Sequence, residues 1–444
     1  VDATRIYEDI ALRTEGDIYI GVVGPVRTGK STFIKNFMET LVIPNIDNAA
    51  RRDRARDELP QSGSGRTIMT AEPKFVPEDA IEVGIGGGAV FQVRLVDCVG
   101  YMVPGAVGQI EDGQPRMVTT PWQAQPMPMA KAAEMGTRKV IDDHSTIGMV
   151  ITTDGTIGDI SREDYIEAET RVITELKALG KPFLVLINSA YPDAPLALAV
   201  TEELRAAHGV TCLPVNVTRL SENEIAEIIK GVLFEFPLSE LGLFLPSWVE
   251  ALDNTHPIKT TVFAAMLEAA ESLVKIRDVQ PSLNSMKTCP NISGVSLNTI
   301  HLGTGIALAN IELPRELFYA TLGEQSGFDI NDDGDLMALL SGLSKIKNEY
   351  AKIAPALEDV ENFGYGIVMP STEELSLEQP EIVRHGARYG VRLRASAPSI
   401  HMIRADIETE VSPFNMTASS QQRKLFINQL KCDSIIDIGY SCVA

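Results

Sequence analysis

An α/β architecture, a parallel sheet with helices on both faces, is predicted for the first half of this chain by three observations. The apolar run 18–23 leads directly into Gly24-Pro25-Val26-Arg27-Thr28-Gly29-Lys30-Ser31, which fits G-x-x-x-x-G-K-[ST] and opens a helical pattern. A second strand-like run, 93–96, ends in Asp97 and has Gly100 three residues on. Apolar runs then alternate with helical periodicities, the pattern of strands connected by crossover helices. Together these predict a P-loop NTPase domain with a GTPase-like sheet over residues 1–237.

Each element has its own signal. Run 18–23 is apolar without alternation, as a strand covered on both faces requires. Further strands are expected at 91–96, 147–151, 182–187 and 212–217, with helices at 128–143, 162–179, 195–207 and 222–235. Past residue 237 the pattern changes. A helical middle segment with a linker is expected over 238–290: Val262, Phe263, Met266, Leu267, Leu273 and Val274 recur at helical spacing, and 282–291 is polar with prolines. An α+β C-terminal domain is expected over 291–411. Its long helix, 335–360, carries Leu336, Leu339, Leu343, Ile346, Tyr350, Ile353 and Leu357 in alternating steps of three and four, read as a core face or as an interaction seam. Alternating residues around 391–395 and 403–411 suggest two half-buried strands about a turn at 396–399.

Composition excludes several roles. Over 444 residues, 39 basic against 60 acidic side chains leave a net charge of −21, which repels nucleic-acid phosphates and disfavours a general DNA or RNA binder. Five cysteines without CxxC spacing and six scattered histidines give no disulfide framework and no zinc pattern. No run approaches the ~18 apolar residues of a membrane span. The expectation is a cytoplasmic protein that reaches any membrane peripherally. Residues 412–444 stand apart: Arg423, Lys424 and Lys431 against Asp433 and Asp437 net +1, leaving −22 for the rest.

The chemistry is concentrated in the first 190 residues. Backbone N–H groups from Val26 to Ser31 can wrap phosphates at a helix N-terminus. Lys30 suits the β- and γ-phosphates, and the Ser31 hydroxyl suits Mg²⁺. Thr32, next on the same helix, is counted with 24–31, Gly100 and Asn188 among the cofactor-binding residues. Asp97 is placed to hold Mg²⁺ through water, and Gly100 to offer its N–H to a γ-phosphate. Between them Thr70, with Thr67 second, occupies the place of a threonine that senses metal and γ-phosphate. At 188–191 an N-K-x-D would select guanine. Here Asn188 is kept, Ser189 replaces the lysine and Tyr191 replaces the aspartate, which argues for ATP or for relaxed base choice. Tyr101 follows Gly100 where many GTPases carry a water-orienting glutamine, so turnover is expected to be slow. Arg27, Arg66 and Arg138 are the candidates for an arginine finger. Asp329 to Asp335 matches the front half of a calcium loop, but position twelve is Leu340, and the run reads better as a turn and helix N-cap.

The segments GDIYIGVVGPVRTGKSTFIKNFME (16–39), DELPQSGSGRTIMTAEPKFVPEDA (57–80), VRLVDCVGYMVPGA (93–106), DDHSTIGMVITTDGTIGDISREDYIEAE (142–169) and PSIHMIRADIETE (398–410) closely resemble the stage IV sporulation protein A family. The resemblance spans roughly 6–411 and is strongest through 17–170. It implies an ATPase, kin to translation-factor GTPases, that self-assembles into the base layer of the endospore coat. On this likeness Lys30, Asp97 and Thr70 fall on the Walker A lysine, the Walker B aspartate and a sensor threonine, while Ala71 replaces a second sensor threonine. It also implies other spore coat proteins and a small amphipathic membrane peptide as partners, at the mother-cell side of the forespore surface. Residues 412–444 do not match the family, which suggests a truncated or frameshifted C-terminus that impairs localisation and spares ATP binding.

The leading expectation is therefore a slow ATPase, with ATP and Mg²⁺ as cofactors, coupled to homopolymer assembly. The alternatives are a regulatory translation-factor-like GTPase and a coat protein that holds nucleotide without hydrolysing it.

Overall fold

A computed structural model of the chain describes residues 3–60, 73–85, 89–106, 110–111, 114–120, 123–386 and 388–407. Among the described residues, those from 326 on form a compact unit of their own, distinct from the unit that ends at Gln325.

The first unit is built on β1 (Asp17–Val23), β2 (Lys74–Ile85), β3 (Ala89–Asp97), β4 (Ile147–Thr153), β5 (Phe183–Asn188) and β6 (Cys212–Val215). They form one sheet in the order β6-β5-β4-β1-β3-β2, parallel except for the antiparallel β2–β3 pair. Every residue of β4 and β5 is buried, because helices cover both faces. On one face Ile20, Leu95, Met149 and Leu186 meet Tyr7, Phe33 and Ile229. These last come from α1 (Ala3–Arg13), α2 (Lys30–Phe37) and, further along, α7 (Glu222–Phe234). On the other face Val23, Val96, Val150 and Val185 meet Val140, Val172 and Leu204, from α4 (Met129–His144), α5 (Ile166–Leu179) and α6 (Pro195–His208). Adjacent residues such as Met149 and Val150 fall in opposite cores, as the period of two along a strand demands. The α3 helix (Ala49–Asp57) runs between α2 and β2. Local signals fix the helix ends: Ser221 and Glu224 close a capping box on α7, and α5 stops at Gly180 in the left-handed conformation.

After residue 237 the chain builds a smaller sheet from β7 (Glu240–Phe244), β8 (Gly294–His301) and β9 (Ile306–Glu312). Its order is β7-β9-β8, with β7 parallel and β8 antiparallel to β9. It shares a core with α8 (Pro257–Glu271) and α9 (Val279–Ser285): Val262, Leu283, Met286, Cys289 and Ala309 pack together. This sheet takes strands from both sides of residue 290, where the sequence suggested a division. The segment 282–291, read from its polar residues as a linker, is mostly helix and puts Ser282, Leu283, Met286 and Cys289 into the core. Glu235 ties the two sheets together. Its carboxylate, with no side-chain exposure, accepts from Lys275 Nζ at 2.7 Å and Arg277 Nη1 at 2.8 Å, and from Thr211 Oγ1 in the loop before β6. The α10 helix (Arg315–Ser326) ends this part.

In the second unit α11 (Asp333–Phe363) is capped by Asp332, whose side chain accepts from Asp335 N at 2.8 Å, so the acidic run at 329–335 serves as an N-cap. Along the seam of threes and fours, Leu343, Ile346 and Tyr350 are 38%, 65% and 58% exposed, so its middle is not covered by the described residues of this unit. The strands β10 (Tyr365–Val368), β11 (Ser376–Leu377), β12 (Glu381–His385), β13 (Arg388–Arg392), β14 (Ala395–Ser396) and β15 (Ile400–Ile403) pair as β10–β15, β11–β14 and β12–β13. The expected pairing of strands around 391–395 and 403–411 is not found among the described residues, where 404–407 are not strand and 408–411 are not described. The backbone of β13 is already matched to β12 through the tight turn between them, and β15 runs beside β10. The tail 412–444 lies outside the described residues.

Candidate functional site

The loop between β1 and α2 sits at the carboxyl edge of the parallel strands, the position where open α/β sheets hold ligands. Gly29, with φ 95°, is the N-cap of α2. A side chain there would also strike the Asn188 amide and Val217, so glycine is required twice over. Thr28 Oγ1 donates to Pro25 O at 3.0 Å and closes the loop on itself.

Lys30 is buried. Its Nζ donates to Pro25 O at 2.6 Å and Gly24 O at 3.4 Å, which holds the ammonium inside the loop. Burial pulls its pKa down to about 8 against the opposing field of Asp97, so the group stays mostly protonated at neutral pH. Ser31 Oγ donates to Asp97 Oδ2 at 2.6 Å. The strand register explains this meeting: Asp97, the last residue of β3, lies opposite Val22 of β1, two residues before the loop begins. Burial raises the Asp97 carboxyl, opposed by the Ser31 hydrogen bond and the Lys30 charge. A buried cation, a carboxylate and a hydroxyl at one point form a donor set that suits a polyanion with a hard divalent cation.

Gly100 completes the cluster. At φ 94°, a Cβ on it would run into Lys30 Nζ and Gly24 O. The turn that carries it is zipped to the loop, since Tyr101 N donates to Gly24 O at 3.0 Å and Val26 N donates to Tyr101 O at 2.8 Å. The Tyr101 side chain points away from the loop. Its hydroxyl donates to Glu175 Oε2 at 2.5 Å on α5, and Arg171 lies over the ring at 5.9 Å. This tyrosine therefore cannot stand in for a water-orienting glutamine.

Asn188 ends β5. Its Nδ2 donates to Thr28 O at 2.9 Å and its Oδ1 accepts from Val217 N at 3.3 Å, so it braces the loop against the turn after β6. Ser189 is buried, with Oγ accepting from Tyr191 N at 3.0 Å. Tyr191 is 71% exposed.

The structure thus brings Gly24, Pro25, Val26, Thr28, Gly29, Lys30, Ser31, Asp97, Gly100 and Asn188 into one site. Arg27 lies in the loop with φ 65°, Thr32 is half-buried on α2, and Arg138 is exposed on α4. Thr70, Thr67, Arg66 and Ala71 fall outside the described residues. Sequence reasoning missed Glu175 and Asn216, whose Nδ2 donates to Ala190 O at 3.2 Å in the turn after β5. The signal for Asn216 was its place at the end of a strand next to Asn188's; nothing in the sequence marked Glu175.

Family models match the whole of this arrangement. The ATPase domain of stage IV sporulation protein A matches residues 1–237, and its middle domain matches 238–415. The chain belongs to the stage IV sporulation protein A family. It is 51% identical over 409 residues to Stage IV sporulation protein A of Clostridioides difficile (strain 630), covering 92% of this chain and 83% of that protein. To the Bacillus subtilis (strain 168) protein of the same name it is 48% identical over 413 residues, 93% of this chain and 84% of the other. Among solved structures, the FeoB G-domain from Methanococcus jannaschii aligns with 49% of this chain and 98% of its own at 13% identity and a TM-score of 0.24, too distant to bear on function. The family is a sporulation family with a nucleotide-binding ATPase domain. Among the described residues no helix is long and apolar enough to cross a membrane.

Proposed function

We propose that this protein binds and slowly hydrolyses ATP with magnesium, and that the nucleotide drives copies of the chain to assemble into a polymeric base layer of the endospore coat. The observation that carries the reading is the convergence of Lys30 Nζ, the Ser31–Asp97 pair and Gly100 on one loop. In this reading the backbone N–H groups of Val26 to Ser31 cradle the phosphates and the Lys30 ammonium leaves Pro25 O for the β- and γ-phosphoryl oxygens. Ser31 Oγ, the Asp97 carboxylate acting through water, and Thr70 would hold the magnesium ion. When bound, the ion neutralises charge on those phosphoryl oxygens. Slow turnover follows from Tyr101, whose hydroxyl is committed to Glu175.

Assembly is supported by what the fold lacks and what it exposes. Among the described residues the nucleotide site is joined by no second catalytic constellation, an arrangement better suited to changing shape than to processing a metabolite. The exposed apolar side chains of α11, such as Met337 and Ile346, provide surface for contacts outside the chain. Coat proteins and a small amphipathic membrane peptide at the forespore surface are the partners this role implies, with the protein peripheral to the membrane on the mother-cell side.

The test is sedimentation and phosphate release by the purified protein with ATP, GTP or no nucleotide, beside the Lys30→Ala variant. ATP-dependent pelleting and phosphate release that both vanish in Lys30→Ala are expected. Normal assembly of that variant would overturn the mechanism, and a strong preference for GTP would favour the GTPase alternative.

A further inference from the structure

We propose that Tyr191 is the platform on which the nucleotide's base lies, so that the site holds a purine by stacking and not through a carboxylate's hydrogen bonds. This inference rests on the reading of 24–31 as a triphosphate site.

Position comes first. Asn188 is bonded on one side to the phosphate-binding loop, at Thr28 O, and on the other to Val217 N after β6. The turn that starts at Ser189 is therefore the next wall of the site beyond Thr28 and Gly29. With phosphates in the loop, the Asn188 bridge makes the carboxyl ends of β5 and β6 the adjoining surface on which a base can lie.

Rigidity comes second. Ala190 N donates to Thr156 Oγ1 at 2.9 Å, from the loop after β4. Asn216 Nδ2, from the loop after β6, donates to Ala190 O at 3.2 Å. Tyr191 N donates to Ser189 Oγ at 3.0 Å, and Tyr191 O accepts from Ala194 N at 3.0 Å. Strand ends on both sides thus fix the backbone of a four-residue turn, and a platform on it is set before any ligand arrives.

Chemistry comes third. Asn188 and Ser189 are buried and spend their hydrogen bonds inside the protein, and Ala190 offers only a methyl group. Tyr191 is the one large side chain of 188–191 that faces solvent, at 71% exposure. An aromatic ring left in water on a braced turn beside a phosphate loop is suited to the π-face of a base. Such stacking tolerates either purine, consistent with the loss of the guanine-selecting acid at this position.

Calorimetry on the full chain with Mg-ATP, Mg-GTP and inorganic tripolyphosphate tests this. Tyr191→Ala is expected to weaken both nucleotides about tenfold and leave tripolyphosphate unchanged, while Tyr191→Phe binds all three like the parent. Unchanged ATP affinity in Tyr191→Ala overturns the proposal, and so does loss in Tyr191→Phe or an equal loss of tripolyphosphate. Lys30→Ala separates the two levels of inference. If it still binds ATP, the triphosphate site itself is misplaced; if it does not and Tyr191→Ala does, only the platform is wrong.

Discussion

Ser31 Oγ reaches Asp97 Oδ2 across 2.6 Å although 66 residues separate them. The contact joins the first turn of α2 to the last residue of β3, and it sets a hydroxyl and a carboxylate beside the buried Lys30 ammonium. Replacing Asp97 by Asn keeps the shape and removes the charge. Turnover is expected to fall by roughly 100-fold, about 3 kcal/mol of lost transition-state stabilisation. The folded state should lose little, because a buried carboxylate costs free energy that an amide does not. Phosphate release and thermal melting of Asp97→Asn check the two halves, and turnover within a few-fold of the parent would remove Asp97 from the metal site.

Tyr101 gives the opposite expectation. Its hydroxyl bonds Glu175 on α5, which packs on the face of the sheet opposite α2, and burial holds that phenol well above its ordinary pKa. Tyr101→Phe leaves Glu175 short of one donor but still near Arg171, at a cost of about 1 kcal/mol in stability. Hydrolysis should stay within about twofold of the parent, since that hydroxyl does not touch the reacting groups. Urea unfolding and steady-state rates measured together decide this. A large loss of rate without loss of stability would place the hydroxyl in the chemistry.

The site was legible where chemistry dictates residue type at fixed spacing. The loop 24–31 and Asp97-x-x-Gly100 need glycine, lysine, hydroxyl and carboxylate at set positions, and no packing alternative asks for that combination. The central strands were legible because burial on both faces removes polar residues from them. The rest was hidden for physical reasons. The α3 helix is Arg- and Asp-rich with only Ala55 buried, so it carries no apolar stripe to read. The α9 helix has seven residues, too short for a period to emerge, and its burial depends on a sheet whose strands come from both sides of it. The anchoring of Tyr101 by Glu175 joins residues 74 apart, and no local pattern announces such a pair.

Glu235 is a buried tie between the two parts of the first unit. With its carboxylate buried against Lys275, Arg277 and Thr211, Glu235→Ala would take the carboxylate from two cations, of which Arg277 keeps Asp278 and Gly209 O. Both cations keep about a quarter of their side-chain surface in water. The expected loss is therefore at the low end for a broken buried pair, about 3 kcal/mol. Denaturant unfolding followed by two probes, one in each sheet, should show a lower midpoint and separated transitions. A single unshifted transition would mean that apolar contacts alone hold the sheets together.

Tyr7 couples the first helix to alkaline pH. It is buried on α1 with its ring stacked on Phe91 at 6.5 Å, and its hydroxyl has no hydrogen-bond partner among the described residues. Burial, helped by Glu222, pushes the phenol up to about 12, against about 10 in an unfolded chain. Because the folded value is the higher one, the folded state holds this proton more tightly. The resulting stability is complete below pH 10 and is lost as pH rises through 12. Tyr165 is shifted in the same direction and to a similar value, so part of the alkaline slope remains without Tyr7. Tyr7→Phe removes a hydroxyl that is desolvated without compensation, so at pH 7 the variant should equal or exceed the parent by up to about 1 kcal/mol. Its urea midpoint should also fall less between pH 10 and 12. If Tyr7→Phe is instead the less stable protein at pH 7 and keeps the parent's alkaline slope, the hydroxyl is bonded in solution and this account of the helix is wrong.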